Sequence, residues 1–145
     1  MAITWDPQLT VGFREIDEQH QEIFRRVDVL VGNMRRGQAK EELEKLLAFL
    51  GEYVHEHFGA EEGLMLMFHY PLIGPHRAQH RSFVEAFVEL KSRFDREGAT
   101  EAVTEKLSSF LLAWLREHIG TADRALGKFL IESGVTERPA PAATR

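Results

Sequence analysis

The chain has 145 residues, 43% of them hydrophobic and 28% charged, which is the size and balance of one folded domain and not of a disordered segment. Its net charge of −5, with no basic run longer than the Arg25-Arg26 and Arg35-Arg36 pairs, disfavours nucleic acid as a main partner. The absence of cysteine excludes disulfides, thiolate chemistry, iron–sulfur clusters and cysteine-held zinc, so any metal must sit on His, Asp or Glu.

Residues 1–12 contain Pro7 and Gly12 and lack a helical period, so they are expected to form an extended N-terminal segment, with Trp5 as a packing anchor. A first helix is predicted from about Ile16 to Arg36, with His20, Phe24, Val27, Val31 and Met34 on its apolar stripe and Gly37 as its stop. A second is predicted from about Lys40 to Phe68. Its seam of Leu43, Leu47, Leu50, Val54, His57, Glu61, Leu64 and Phe68 advances by alternating steps of four and three. Pro71, Gly74 and Pro75 mark the turn that follows.

The third predicted helix runs from His76 to about Arg96, with His76, His80, Phe83, Phe87, Leu90 and Phe94 in line and Gly98 closing it. The fourth starts near Thr100, turns Val103, Leu107, Phe110 or Leu111, Trp114 and His118 inward, and ends at Gly134. Residues 139–145 hold two prolines and read as a flexible tail. Four amphipathic helices with short connections give an all-α, antiparallel up-down-up-down four-helix bundle, filling residues 1–145 as a single domain. The chain shows no leader pattern near its start, and its longest apolar run, Phe110 to Leu115, is too short for a membrane-spanning segment. A cytoplasmic protein is expected.

The predicted seams contain residues that do not belong in an apolar core: His20, then His57 and Glu61, then His76 and His80, then His118. The pairs His57–Glu61 and His76–His80 are each four apart, so both members leave the same face of a helix. A single histidine on such a stripe is ordinarily a hydrogen-bonded core residue. Polar groups aligned on all four inward faces are different, because burying an ionised carboxylate costs several kcal/mol unless it is paired or bound to a metal. His55 and His69 fall off the seams and read as surface residues, and Glu62 points about 100° from Glu61, which makes it a residue behind the site or on the surface.

Asp123 follows His118 by five residues, which on a regular α-helix separates the side chains by about 140°. Both could still reach a site enclosed by four helices, or a local π-type turn could align them, and some irregularity is expected near Gly120.

Five histidines and two carboxylates exceed one tetrahedral zinc, and the zinc-protease signature is missing. Two octahedral ions sharing both carboxylates and an oxide or hydroxide bridge would fill eleven of twelve positions. The open position falls on the ion with two histidines and suits one diatomic ligand. The carboxylate-rich ferritin-like sites use two Glu-x-x-His motifs; this chain has one such match, Glu52 to His55, off the seam.

At these residues the sequence resembles the bacterial hemerythrins (bacteriohemerythrins). The matching segments are Ile16-Asp17-Glu18-Gln19-His20, His57-Phe58-Gly59-Ala60-Glu61-Glu62, Tyr70-Pro71 with His76 and His80, and Trp114-Leu115-Arg116-Glu117-His118 with Asp123. The resemblance runs from about Trp5 to Phe129. It implies two non-haem iron ions with an oxo or hydroxo bridge, one held by His76, His80 and His118 and the other by His20 and His57, with Glu61 and Asp123 bridging.

The implied function is reversible dioxygen binding for oxygen carriage, storage, delivery or sensing, by a monomer that could serve a downstream oxygen-consuming enzyme and is not itself an enzyme. The alternative is a di-iron enzyme acting on peroxide, nitric oxide or ferrous iron. Phe24, Phe58, Trp114 and Ile119 are nominated as the apolar wall that keeps water from such a site.

Overall fold

A computed structural model describes residues 5–37 and 40–135, with the side chains of residues 34 and 35 outside that description. Helix α1 spans Arg14–Arg35, α2 Lys40–Met67, α3 Ile73–Glu97 and α4 Glu101–His118. A π-helical turn, Ile119–Asp123, then leads directly into α5, Arg124–Glu132. Helices α1 and α3 each pack against both α2 and α4, as the predicted antiparallel bundle requires, and no strand occurs among the described residues. No helix among them is long and apolar enough to cross a membrane. The expected places of Met34 on the seam and of the tail at 139–145 lie outside the described residues.

The helix ends follow local chemistry. Thr100 caps α4 by accepting the Val103 N–H at 3.2 Å. Gly98 ends α3 at φ 82° and Gly134 follows α5 at φ 74°, left-handed conformations that glycine adopts without steric penalty. After α2, the exposed His69 also has a positive φ, 55°, and the Tyr70 N–H reaches back to the Met65 carbonyl at 2.9 Å.

The α2–α3 turn is shorter than expected. Helix α3 begins at Ile73, three residues before His76, so Gly74 and Pro75 lie inside its first turn. A proline there loses nothing, because the first N–H groups of a helix have no intrahelical acceptor.

The seams also shift locally. Met65 is fully buried where Leu64 was expected, Leu30 lies deeper than Val31, and Leu111 and Leu115 are buried while Phe110 and Trp114 are half-buried.

The N-terminal segment is not simply extended. Pro7–Leu9 form a single 3-10 turn whose start is capped by the Asp6 side chain. Beyond it, the Asp17 carboxylate accepts the Val11 N–H at 2.8 Å and the Gly12 N–H at 3.2 Å, pinning the segment to α1. Val11 also lies so close to α5 that a Cβ on Gly127 would come within 2.4 Å of the Val11 carbonyl oxygen. The segment thus closes one end of the bundle beside the π-helical turn.

Candidate metal centre

An antiparallel bundle brings the beginnings of α1 and α3 to the same end as the later parts of α2 and α4. His20, His76, His57 with Glu61, and His118 occupy those positions, and all are at most 3% exposed. The π-helical turn supplies the last member. By widening one turn of helix it brings Asp123 onto the inward face with His118, and Asp123 is fully buried. All seven sequence-predicted site residues therefore converge, and His55 and His69 are exposed as expected.

Their donor atoms form two groups that share both carboxylates. One comprises His76, His80 and His118 with Glu61 and Asp123; the other comprises His20 and His57 with the same two acids. Each carboxylate turns one oxygen to each group. Glu61 Oε1 lies 3.1 Å from His80 Nε2 and 3.5 Å from His76 Nε2, while Oε2 lies 3.3 Å from His57 Nε2 and 3.6 Å from His20 Nε2. Asp123 Oδ1 is 2.9 Å from His76 Nε2 and 3.0 Å from His118 Nε2, and Oδ2 is 2.9 Å from His20 Nε2.

Several of these approaches lack hydrogen-bond geometry. Both Asp123 oxygens, Glu61 Oε2 and the Nε2 atoms of His20, His57 and His76 are buried without a hydrogen-bond partner. Each such orphan would cost about 1–3 kcal/mol if left unanswered. Cations answer all of them together, and the donor set of imidazole and carboxylate suits a first-row transition metal.

The electrostatics agree. Burial works against charge on His20 and His76, yet the adjacent Asp123 and Glu61 carboxylates prevail and raise both to about 9. Burial would raise the Glu61 carboxyl, but His57, His20 and His76 around it hold it well below the usual range. Asp123 is likewise pushed up by burial and by the charge of Glu61, then pulled well down by His118, His20 and His76. Protons on imidazoles neutralise here what a metal would neutralise otherwise.

Three outer ring nitrogens are fixed by residues that face them from a neighbouring helix. His57 Nδ1 meets Gln19 Oε1, His118 Nδ1 meets Gln79 Oε1 at 2.7 Å, and His80 Nδ1 meets Glu62 Oε2 at 2.8 Å. An acceptor at Nδ1 places the ring hydrogen there and turns the Nε2 lone pair inward. Seam periodicity could not reveal Gln19 or Gln79, because neither lies on an apolar stripe; their position one residue before His20 and before His80 was the available signal.

Around the rings lie the nominated apolar residues. Phe58 stacks on His80 and Trp114 on His118, while Phe24 and Ile119 are each 1% exposed. Trp5 packs its ring 6.5 Å from His20 and 5.5 Å from Phe24, so the packing anchor of the N-terminal segment covers a site residue.

Comparison with known proteins agrees with this geometry. Residues 11–130 match the family model for the hemerythrin HHE cation binding domain. The chain is 29% identical over 126 residues to a bacteriohemerythrin of Stenotrophomonas maltophilia, covering 85% of this chain and 78% of that protein. It is 33% identical over 120 residues to a bacteriohemerythrin of Methylococcus capsulatus, covering 83% and 88%. A hemerythrin-like protein of Naegleria gruberi is 30% identical over 119 residues, covering 82% and 86%. A solved crystal structure of a leucine-to-phenylalanine mutant superposes with a TM-score of 0.79 at 30% identity, covering 88% of this chain and 97% of its own. With a buried His, Glu and Asp cluster inside the matched residues, the chain belongs to the hemerythrin family.

Proposed function

We propose that His20, His57, Glu61, His76, His80, His118 and Asp123 hold two non-haem iron ions joined by an oxo or hydroxo bridge, and that the pair binds dioxygen reversibly. The observation that carries this reading is the shared use of Glu61 and Asp123, whose two oxygens face different histidine groups. A carboxylate split in this way is placed to span two ions and poorly placed to serve one. When bound, the iron pair supplies the electrons that hold dioxygen and return when it leaves.

The rest is the work of the chain. Three imidazoles on one side and two on the other make the halves unequal, leaving the two-histidine side the less filled. Gln19, Gln79 and Glu62 keep the rings in the tautomer that donates inward. Phe24, Phe58, Trp114 and Ile119 keep bulk water from the buried donors, which favours reversible binding over oxidation. Residues 1–145 act on this reading as one domain and one monomer, a cytoplasmic carrier, store or sensor that could pass oxygen to a consuming enzyme.

The test is anaerobic reconstitution with ferrous iron, counting bound metal and recording visible spectra as oxygen is added and removed. Two irons per chain and a charge-transfer band that disappears on deoxygenation are expected. Immediate irreversible oxidation, with repeated turnover of peroxide, nitric oxide or ferrous iron, would transfer the chain to the enzyme class. Fewer than two irons would refute the ligand assignment.

A further inference from the structure

The outer nitrogens of the site histidines are not all treated alike. Those of His57 and His118 face neutral amides, Gln19 and Gln79, whereas that of His80 faces the carboxylate of Glu62 at 2.8 Å. Glu62 is anchored for this contact: its other oxygen, Oε1, lies 3.4 Å from Arg77 Nε on α3, and its side chain is 28% exposed. The acid stands one residue after Glu61 on α2 and reaches across to α3, so it touches a predicted ligand without being one.

We propose that Glu62 is a positioning residue that makes the three-histidine half of the site the more electron-rich half, by drawing the Nδ1 hydrogen of His80 toward its charge. This inference rests on the di-iron reading above. A carboxylate behind an imidazole raises the basicity of the opposite nitrogen, and such outer partners commonly change metal affinity by about 10-fold to 100-fold when removed. An amide in the same place fixes the ring but pulls far less on its hydrogen. The iron beside His80 is therefore favoured in its more highly charged state relative to the iron beside His57. Which ion more readily gives up an electron is decided at the rim of the bundle, outside the set of seven donors.

The experiment compares the parent chain with Glu62→Gln and Gln79→Glu, each reconstituted with ferrous iron, iron-counted and titrated spectroelectrochemically. Glu62→Gln keeps an acceptor oxygen and removes only the charge. It should weaken ferric relative to ferrous binding about tenfold, a rise of about 59 mV for one electron. Gln79→Glu places a carboxylate behind His118 and should shift the potential in the opposite direction. Unchanged potentials in both variants, each with two irons, would overturn the proposal, as would shifts of the same sign.

Zinc affinity of the metal-free proteins gives an independent reading, with Glu62→Gln expected about tenfold weaker; an unchanged zinc affinity would count equally against Glu62. If parent and variants alike hold fewer than two irons, the di-iron reading fails, and the zinc comparison alone decides the role of Glu62. Far-UV circular dichroism checks folding, and should Glu62→Gln not fold, Gln79→Glu carries the same test with the opposite sign.

Discussion

The Phe58 ring lies flat against the His80 imidazole, with centroids 3.9 Å apart and planes 6° from parallel. Trp114 covers His118 in the same way, at 4.4 Å and 19°. Two of the three imidazoles in the larger donor group thus have one face sealed by an aromatic ring, while their nitrogen edges are committed to Glu62, Gln79 and the shared carboxylates. Phe58→Leu keeps an apolar side chain but opens one face of His80. We expect a loss of about 1–3 kcal/mol in the metal-free chain, read from the denaturant midpoint, together with faster oxidation of the iron-loaded protein. A variant with an unchanged midpoint would show that the stacked geometry contributes no packing.

Ile119 sits at the start of the π-helical turn and is 1% exposed. Ile119→Ala should remove part of the apolar wall beside His118 and cost about 2–5 kcal/mol. The informative measurement is the decay of the oxygenated spectrum in the dark at a temperature where the variant stays folded. Acceleration is expected. Decay at the parent rate would mean that Ile119 is core and nothing more.

Proton linkage gives the metal-free protein a definite pH profile. His20 and His76 rise from 6.5 to about 9, so the stability they contribute is complete below pH 6.5 and is lost as the pH climbs through about 9. Glu61 and Asp123 are held below 4.5 and 3.8, so their contribution is present above those values and is lost in acid. Denaturant midpoints should therefore be highest between about pH 5 and 6.5. Metal uptake must displace the same imidazole protons, so apparent affinity should climb across the range where metal-free stability falls. Calorimetric titration in buffers of different ionisation enthalpy would count the protons released.

The N-terminal segment depends on two contacts with the bundle. Asp17→Asn should weaken the acceptance of the Val11 and Gly12 N–H groups, worth about 1.5–3 kcal/mol for bonds to a charged group. Gly127→Ala would drive a methyl against the Val11 carbonyl, since a Cβ there comes within 2.4 Å. Both changes should uncover Trp5, detectable as a red shift of tryptophan emission, and limited proteolysis should then cut before Phe13. An unaltered emission maximum in both variants would show that the segment is held elsewhere.

The bundle and its polar inward positions were legible because antiparallel packing couples sequence phase to position. Residues early in α1 and α3 must meet residues late in α2 and α4, and the five buried histidines obey that rule. What could not be read was set by contacts between distant segments. Asp17 stands in the first turn of α1, and nothing in the sequence around it shows that it receives the Val11 and Gly12 N–H groups. Met65, four residues after Glu61 in α2, is buried in place of Leu64, and the Tyr70 N–H folds back onto its carbonyl. Pro75 reads from the sequence as part of the turn between two helices and instead lies in the first turn of α3, a distinction that depends on which N–H groups are already without acceptors.

The π-helical turn is in effect a skipped count in the pattern of buried side chains. Leu111, Leu115 and His118 lie inward above it, and an uninterrupted α-helix would continue the series at positions 122, 125 and 129. Asp123, Leu126 and Leu130 turn their side chains inward instead, each one place later, with Gly127 buried beside them. Everything after His118 is therefore written in a different phase from everything before it. Deleting one residue from the turn would carry Asp123, Leu126 and Leu130 to the inward positions of a regular helix, whereas winding the turn as α-helix with every residue kept would rotate them about 100° off that face and take Asp123 from its histidines. The coupling makes the placing of Asp123 and the docking of α5 a single unit: whatever resets the phase of the turn moves Asp123, Leu126 and Leu130 together.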